Sequence, residues 1–245
     1  MENLYDSKRR ELAREYHEEK DKKLWINRIL TLTFWFLFFG FSLEVKLFDF
    51  MTDWINSWEL KLIIYIFSIL IIYSIFDLLI SYNLFYRLNR KYELSNQDPG
   101  SWFADQIKSF ILSFVFMYLT ARVILFLINN YPELWWLPFS IIGSIFTVVI
   151  TFLLPKVLLP LFFKLEKYPD TPLRERLMDL IKKADLEVDE IYEINLSSKI
   201  NYANAAVIGL GSTRKIVLAD NLTDEFTNAE IEAVMAHELG HHVNG

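Results

Sequence analysis

The sequence contains no cysteine, and this absence excludes thiol catalysis and zinc sites built on cysteine ligands. It also agrees with a reducing compartment. The net charge is −6, and no basic cluster lies outside the segments that flank long apolar runs. Since nucleic acids are bound by basic surfaces, we expect no nucleic-acid partner. The first 23 residues are charged throughout and lack the apolar core of a secretory signal peptide.

Glycine and proline are also few, with seven of each, whereas 53% of the residues are hydrophobic and 16% are aromatic. This composition is too apolar for an ordinary soluble domain. Apolar runs of about 17–25 residues are long enough to cross a bilayer as helices. The sequence predicts four of them, at Leu24–Leu43, Leu62–Ile80, Phe110–Ile128 and Trp136–Leu154. We therefore expect a mainly α, polytopic membrane protein that is embedded in a lipid bilayer.

The distribution of lysine and arginine predicts the orientation of these spans. The N-terminal segment is rich in basic residues, and the connector after the first span carries only Lys46 and Lys61. The second connector is basic again, whereas the third, residues 129–135, has no lysine or arginine. Cytoplasmic loops carry the excess of basic residues. We therefore expect a cytoplasmic N-terminus and, after four spans, a cytoplasmic segment beyond Lys156.

Two ionisable residues, Asp77 and Arg122, fall inside predicted spans. Such residues first suggest a mutual ion pair. At 1.5 Å per residue, however, their predicted depths differ by roughly 13 Å. We therefore expect Asp77 to reach interfacial water, while Arg122 either extends towards the surface or lines a polar cavity.

Histidine is scarce, with four in the chain, yet His237, His241 and His242 stand close together. The run His237-Glu238-Leu239-Gly240-His241 is an HExxH motif. Residues four apart on a helix share a face, so both imidazoles can bind one Zn²⁺. Glu238 would lie beside the metal as the general base for zinc-bound water. The alternative is an exposed helix that happens to be rich in histidine and glutamate.

The residues before the motif predict a capped amphipathic helix. Thr227 and Glu230 have the spacing of a capping box. Glu230 lies seven residues before His237, roughly 10 Å along a helix axis, and is too far away to be a third zinc ligand. A third ligand must come from another segment. Helical spacing continues through the apolar residues Ile231, Val234, Met235 and Leu239.

The region after the spans predicts an α+β domain. Thr171 and Pro172 begin a helix. A strand follows around Tyr192–Leu196, and a hairpin joins Ala203–Ile208 to Lys215–Ala219. We expect a small antiparallel sheet whose edge can pair with an extended substrate. The predicted domains are a polar N-terminal segment (1–23), a four-helix transmembrane region (24–165) and an incomplete metallopeptidase domain (166–245).

Five segments together resemble the type I CAAX prenyl proteases and related integral-membrane zinc metallopeptidases. The resemblance covers roughly residues 82–245, and its last part is the most specific. The segments are Asp105–Lys108, Pro160–Lys164, Asn204-Ala205 ahead of Gly209, Arg214–Leu218 and Ala236–His241.

The resemblance implies a role for each matching residue. His237 and His241 would be zinc ligands, Glu238 the general base, and Asn204 and Ala205 part of the substrate-binding edge strand. It also implies that the third ligand is a glutamate beyond residue 245, with one zinc per full-length chain. The family has an aromatic residue directly after the Asn-Ala pair, where this chain has alanine at position 206.

We therefore predict an integral-membrane zinc metalloendopeptidase, CAAX-prenyl-protease-like, that acts on peptide or protein substrates, including membrane-associated ones. One alternative is a heat-shock-type quality-control metalloprotease of the membrane, which shares these motifs. Another is a non-catalytic membrane protein with an incomplete protease domain. Asp105–Lys108 and the four spans ahead of the HExxH motif favour the CAAX-protease-like branch.

Overall fold

The computed structural model describes residues 7–201, 203–209 and 214–243, and these residues are mainly helical. They form two compact units. The first contains the residues up to Ser95 together with Trp102–Leu125, and the second contains Asn96–Ser101 and the residues from Phe126 onward.

Long helices make up the first unit. In chain order they are α1 (Ser7–Gly40), α2 (Leu43–Thr52), α3 (Trp58–Ser81), α4 (Arg87–Lys91) and α5 (Pro99–Asn130), whose ends belong to the second unit. A π-helical turn, Tyr82–Tyr86, joins α3 to α4 without a break. The side chain of Asp98 caps α5 by accepting a hydrogen bond from the Ser101 amide at 3.0 Å.

The first predicted span is interrupted by a bend. The axes of α1 and α2 differ by 52°. Ser42, between them, has a positive φ of 51°, a left-handed conformation that ends a helix. The polar segment predicted for residues 1–23 is continuous with α1 from Ser7 onward.

Each of the other three predicted spans lies within one continuous helical stretch. Among the residues that the structure describes, three helical stretches are long and apolar enough to cross a membrane, namely Trp58–Lys91, Pro99–Asn130 and Trp136–Phe162. The bent α1–α2 pair makes a fourth if it is one span. In the most apolar part of each stretch, at most 6% is buried inside the structure. Their apolar side chains are thus available to lipid.

The two charged residues in the spans do not pair with each other. The Arg122 guanidinium lies 2.7 Å from the carboxylate of Glu59, in the first turn of α3. The Tyr118 hydroxyl donates to the other oxygen of that carboxylate at 3.3 Å. Asp77 accepts a hydrogen bond from the Ser81 hydroxyl at 2.9 Å. The partner of Arg122 is thus a carboxylate near the opposite end of α3 from Asp77.

The second unit begins with α6 (Trp136–Leu153), which continues through a π-helical turn, Leu154–Leu158, into α7 (Leu159–Phe162). A small α+β region follows, and its helix Pro172–Lys183 starts as predicted, with Thr171 accepting a hydrogen bond from the Arg174 amide. The elements are β1 (Leu165–Lys167), α8 (Pro172–Lys183), β2 (Glu190–Ile194), β3 (Ala205–Ile208), β4 (Lys215–Ala219), α9 (Asp220–Glu225) and α10 (Asn228–Val243).

The strand order is β1-β2-β4-β3. The predicted hairpin of β3 and β4 is antiparallel and confirmed. The prediction of a purely antiparallel sheet is wrong, because β2 and β4 run parallel. After β2 the chain crosses to the edge of the sheet and forms β3 there. It then returns as β4, which lies between β2 and β3. The predicted strand also stops at Ile194, since Leu196 begins a short 3₁₀ turn.

One apolar core holds this region together. Leu177 of α8, Ile191 of β2, Ile216 of β4 and Met235 of α10 are completely buried in it. Helix α10 packs against both α8 and β3. The fold therefore places the HExxH helix beside the edge strand.

Candidate active site

Helix α10 is fixed at its start by the predicted capping box. The Thr227 amide donates to the carboxylate of Glu230 at 2.9 Å, and the Glu230 amide donates to the Thr227 hydroxyl at 3.4 Å. The backbone hydrogen bond from Thr227 lowers the pKa of Glu230, because it stabilises the charged carboxylate. Glu230 is thus engaged at the helix start, away from the histidines.

Two turns further along, the imidazoles of His237 and His241 face each other. Their Nε2 atoms are 3.1 Å apart, and both side chains are exposed. Two nitrogens that each lie about 2.0–2.1 Å from one tetrahedral zinc are about 3.3 Å apart. The observed separation therefore fits a shared zinc ion. Glu238, between them in sequence, is half-buried.

The third ligand is not among the residues that the structure describes. Within these residues, no group of three or more His, Cys, Asp or Glu side chains could hold a metal ion. The side chain of His242 lies outside the description. A third ligand from another segment, as the motif requires, stays a prediction.

The predicted substrate-binding residues lie at the start of the strand next to α10. Ala205 is the first residue of β3, an edge strand of the sheet, and its side chain is buried. Asn204 directly precedes it and is exposed, and its carbonyl accepts a hydrogen bond from the Ala219 amide at 2.9 Å. Since the Ala205 side chain faces the interior, any contact of this residue with a peptide must use its backbone.

An apolar cavity of about 200 Å³ adjoins β3. Ala206, at the position where the family resemblance implies an aromatic residue, is part of its wall. Of the described residues that line it, Asn204 alone has a polar side chain. The other lining residues are Leu159, Phe163, Ile194, Leu196, Ala205, Ile208, Val217 and Ala219.

The loop before β3, residues 195–201, is held by residues that sequence reasoning missed. The amide of Asn96 donates to the Ser197 carbonyl at 3.3 Å and forms a reciprocal pair with the Asn201 side chain. The Ser197 amide and hydroxyl both donate to the carboxylate of Asp220, at 2.8 and 2.6 Å. Asn96 carries no sequence signal for this role, because its partners lie about a hundred residues away.

Comparison with known proteins adds the family. The profile described as the CAAX prenyl protease N-terminal region, with five membrane helices, matches residues 1–164. The profile of peptidase family M48 matches residues 168–245, which include the HExxH motif. The chain belongs to peptidase family M48. The predicted relation to CAAX prenyl proteases is confirmed, and the apolar helices of this M48 chain make it a multi-pass integral membrane protein.

Curated relatives match part of their own length. The chain is 32% identical over 158 residues to the uncharacterized metalloprotease YhfN of Bacillus subtilis, covering 64% of this chain and 37% of the relative. It is 29% identical over 158 residues to CAAX prenyl protease 1 of Saccharomyces cerevisiae, covering 63% and 34%. This M48 chain thus spans less than half the length of either relative.

A solved structure has the same fold. The crystal structure of S. mikatae Ste24p superposes with a TM-score of 0.88 at 23% identity. The match covers 99% of this chain and 58% of that chain. The mainly helical membrane architecture with a small sheet in its C-terminal part is thereby confirmed.

Proposed function

We propose that this M48 chain forms part of an integral-membrane zinc endopeptidase. The observation that carries the proposal is the 3.1 Å separation of the His237 and His241 Nε2 atoms on a helix that packs against an edge strand. That geometry supports a metal-binding pair beside a strand whose backbone could hold an extended peptide.

The chemistry proposed for each residue follows from its position. His237 and His241 would hold the metal through Nε2, leaving the third ligand to another segment. A zinc ion bound there supplies a Lewis acid for the scissile carbonyl and lowers the pKa of water. The Glu238 carboxylate accepts the proton of the attacking water and later returns it to the leaving amine. The backbone of Ala205 and the exposed side chain of Asn204 would align the peptide.

The same proposal includes a domain division and an orientation. Residues 1–23 would form the polar cytoplasmic segment, 24–165 the transmembrane region of four spans, and 166–245 the metallopeptidase domain. The excess of basic residues before the first span and in the second connector supports a cytoplasmic HExxH helix. Substrates would then be peptides or proteins that reach the cytoplasmic membrane surface. The names of relatives such as yeast CAAX prenyl protease 1 favour prenylated tails among them.

Metal content and proteolysis of the full-length protein test this function. We expect about one zinc per chain, because three protein ligands hold a catalytic zinc. Glu238→Gln should keep the metal and abolish cleavage, since the amide accepts no proton from water. The matched control is Glu175→Gln, which alters an exposed carboxylate of α8 and should leave both readouts unchanged. Equal proteolysis by wild type and Glu238→Gln would contradict the proposal.

A further inference from the structure

The cavity beside β3 lies on one face of the sheet. Ala206 pairs with Val217 across the β3–β4 ladder, and both residues line the cavity. The next pair along, Val207 and Ile216, points to the opposite face, where Ile216 is completely buried in the core. The cavity therefore lies on the sheet face that carries Ala206, where the buried residues Val217 and Ala219 form part of its wall.

Small side chains leave this space open. Ala206 and Ala219 contribute only methyl groups to the wall, which Leu159 and Phe163 also line. Apolar cavities of about 150 Å³ stay dry and bind a benzene-sized molecule. At about 200 Å³, this cavity matches one leucine or phenylalanine side chain and is smaller than most small-molecule sites.

The lining also excludes charged occupants. Among the described residues that line the cavity there is no lysine, arginine, aspartate or glutamate, and Asn204 supplies their only polar side chain. A charged group placed there would lose its hydration without gaining a partner, which is strongly unfavourable. The cavity is therefore selective for an uncharged apolar group.

Its position beside the edge strand points to the occupant. A peptide added to the edge of a sheet lies extended, and its side chains alternate between the two faces. Every second side chain of a peptide along β3 would project to the face that carries Ala206. We propose that the cavity is a subsite for one apolar side chain of a peptide bound along β3. This inference rests on the proposed function and adds a substrate preference to it.

Substrate preference in the full-length protein tests the subsite. The substrates would be pairs of short cleavable peptides. The two peptides of a pair differ at one position, where one has leucine and the other serine. For wild type we expect kcat/KM to fall about tenfold or more when serine replaces leucine at one position, since burial of a leucine side chain is lost. Ala206→Phe fills the cavity. In this variant kcat/KM for the leucine peptide should exceed that for the serine peptide by about twofold or less, at this position alone.

Two further variants keep the test decisive. Ala104→Phe adds the same bulk at an exposed site on α5 and should retain the wild-type preference. Ala206→Leu fills the cavity less and serves if Ala206→Phe fails to fold. An unchanged preference in the folded Ala206 variant would overturn the subsite. A labelled fatty acid would also be titrated into both proteins. If it binds wild type but not Ala206→Phe, and the peptide preference is unchanged, the subsite is overturned because the occupant is then lipid.

Binding separates this inference from the proposed function. The same peptides, labelled with a fluorophore, would be titrated into Glu238→Gln, and the leucine preference should appear in Kd and disappear in Glu238→Gln/Ala206→Phe. A preference in binding together with Glu238-independent cleavage would contradict the catalytic proposal and leave the subsite standing. Glu238-dependent cleavage without any leucine preference would overturn the subsite and leave the catalytic proposal standing.

Discussion

At the scale of single residues, the contacts that the sequence predicts most fully are those between residues a few positions apart. The capping box of Thr227 and Glu230 and the facing imidazoles of His237 and His241 both follow from helical spacing. Ion pairs between distant elements are different. Arg174 of α8 lies 2.7 Å from the carboxylate of Glu190 on β2, a contact that spacing does not predict.

The Arg174–Glu190 pair predicts a pH dependence of stability. The Arg174 guanidinium lowers the pKa of Glu190 in the folded protein below the ordinary glutamate value, about 4.3. A lowered folded-state pKa stabilises the fold above the unfolded-state pKa, and this contribution is lost as pH falls towards the folded-state pKa. We expect thermal stability to drop below about pH 4.3 in wild type and to drop less in Glu190→Gln.

The matched control for this pair is Glu175→Gln, since Glu175 is an exposed carboxylate of the same helix as Arg174. Its melting temperature should follow the wild-type profile across the acid range. Parallel profiles for wild type and Glu190→Gln would show that the pair does not stabilise the fold.

At the scale of elements, the long apolar helices and the β3–β4 hairpin were predictable from composition and alternation. The parallel pairing of β2 with β4 was not, because it depends on where the chain crosses the sheet. The bend at Ser42 was also missed, since the residues on both sides are apolar and no proline marks the break. Element type follows from local pattern, whereas pairing and bending follow from tertiary contacts.

The loop before β3 gives an element-scale prediction. Asn96→Ala removes the hydrogen bonds to Ser197 and Asn201 that hold the loop. Because each bond contributes about 1 kcal/mol, amide exchange over Ala205–Ile208 should accelerate about fivefold or more. Hydrogen–deuterium exchange with mass spectrometry measures this, and α8 should be unaffected.

Asn89→Ala is the control for the loop, because Asn89 accepts a hydrogen bond from the Tyr16 hydroxyl at 3.1 Å in the other unit. It removes an asparagine contact of the same kind and should leave exchange in β3 at the wild-type rate. If both variants exchange alike over β3, Asn96 has no part in holding this strand.

At the scale of the whole molecule, the number of spans decides which side of the membrane each region occupies. In the described part of the chain, three helices are long and apolar enough to cross, and the bent α1–α2 pair is either a fourth span or a re-entrant segment. An even number of spans places the N-terminus and the HExxH helix on the same side, and an odd number places them on opposite sides. The sequence alone predicted four, from the length and apolar character of each run.

The absence of cysteine makes this topology directly testable. Single cysteines would be introduced as Asp21→Cys in α1, Glu133→Cys before α6 and Asp170→Cys before α8, all at exposed positions. In intact cells, a membrane-impermeant maleimide should label only Glu133→Cys, because the positive-inside rule places the other two in the cytoplasm. Labelling of Asp21→Cys together with Glu133→Cys, but not Asp170→Cys, would mean that α1 and α2 re-enter without crossing. Labelling of Asp170→Cys in intact cells would place the HExxH helix outside and contradict the proposed cytoplasmic substrates.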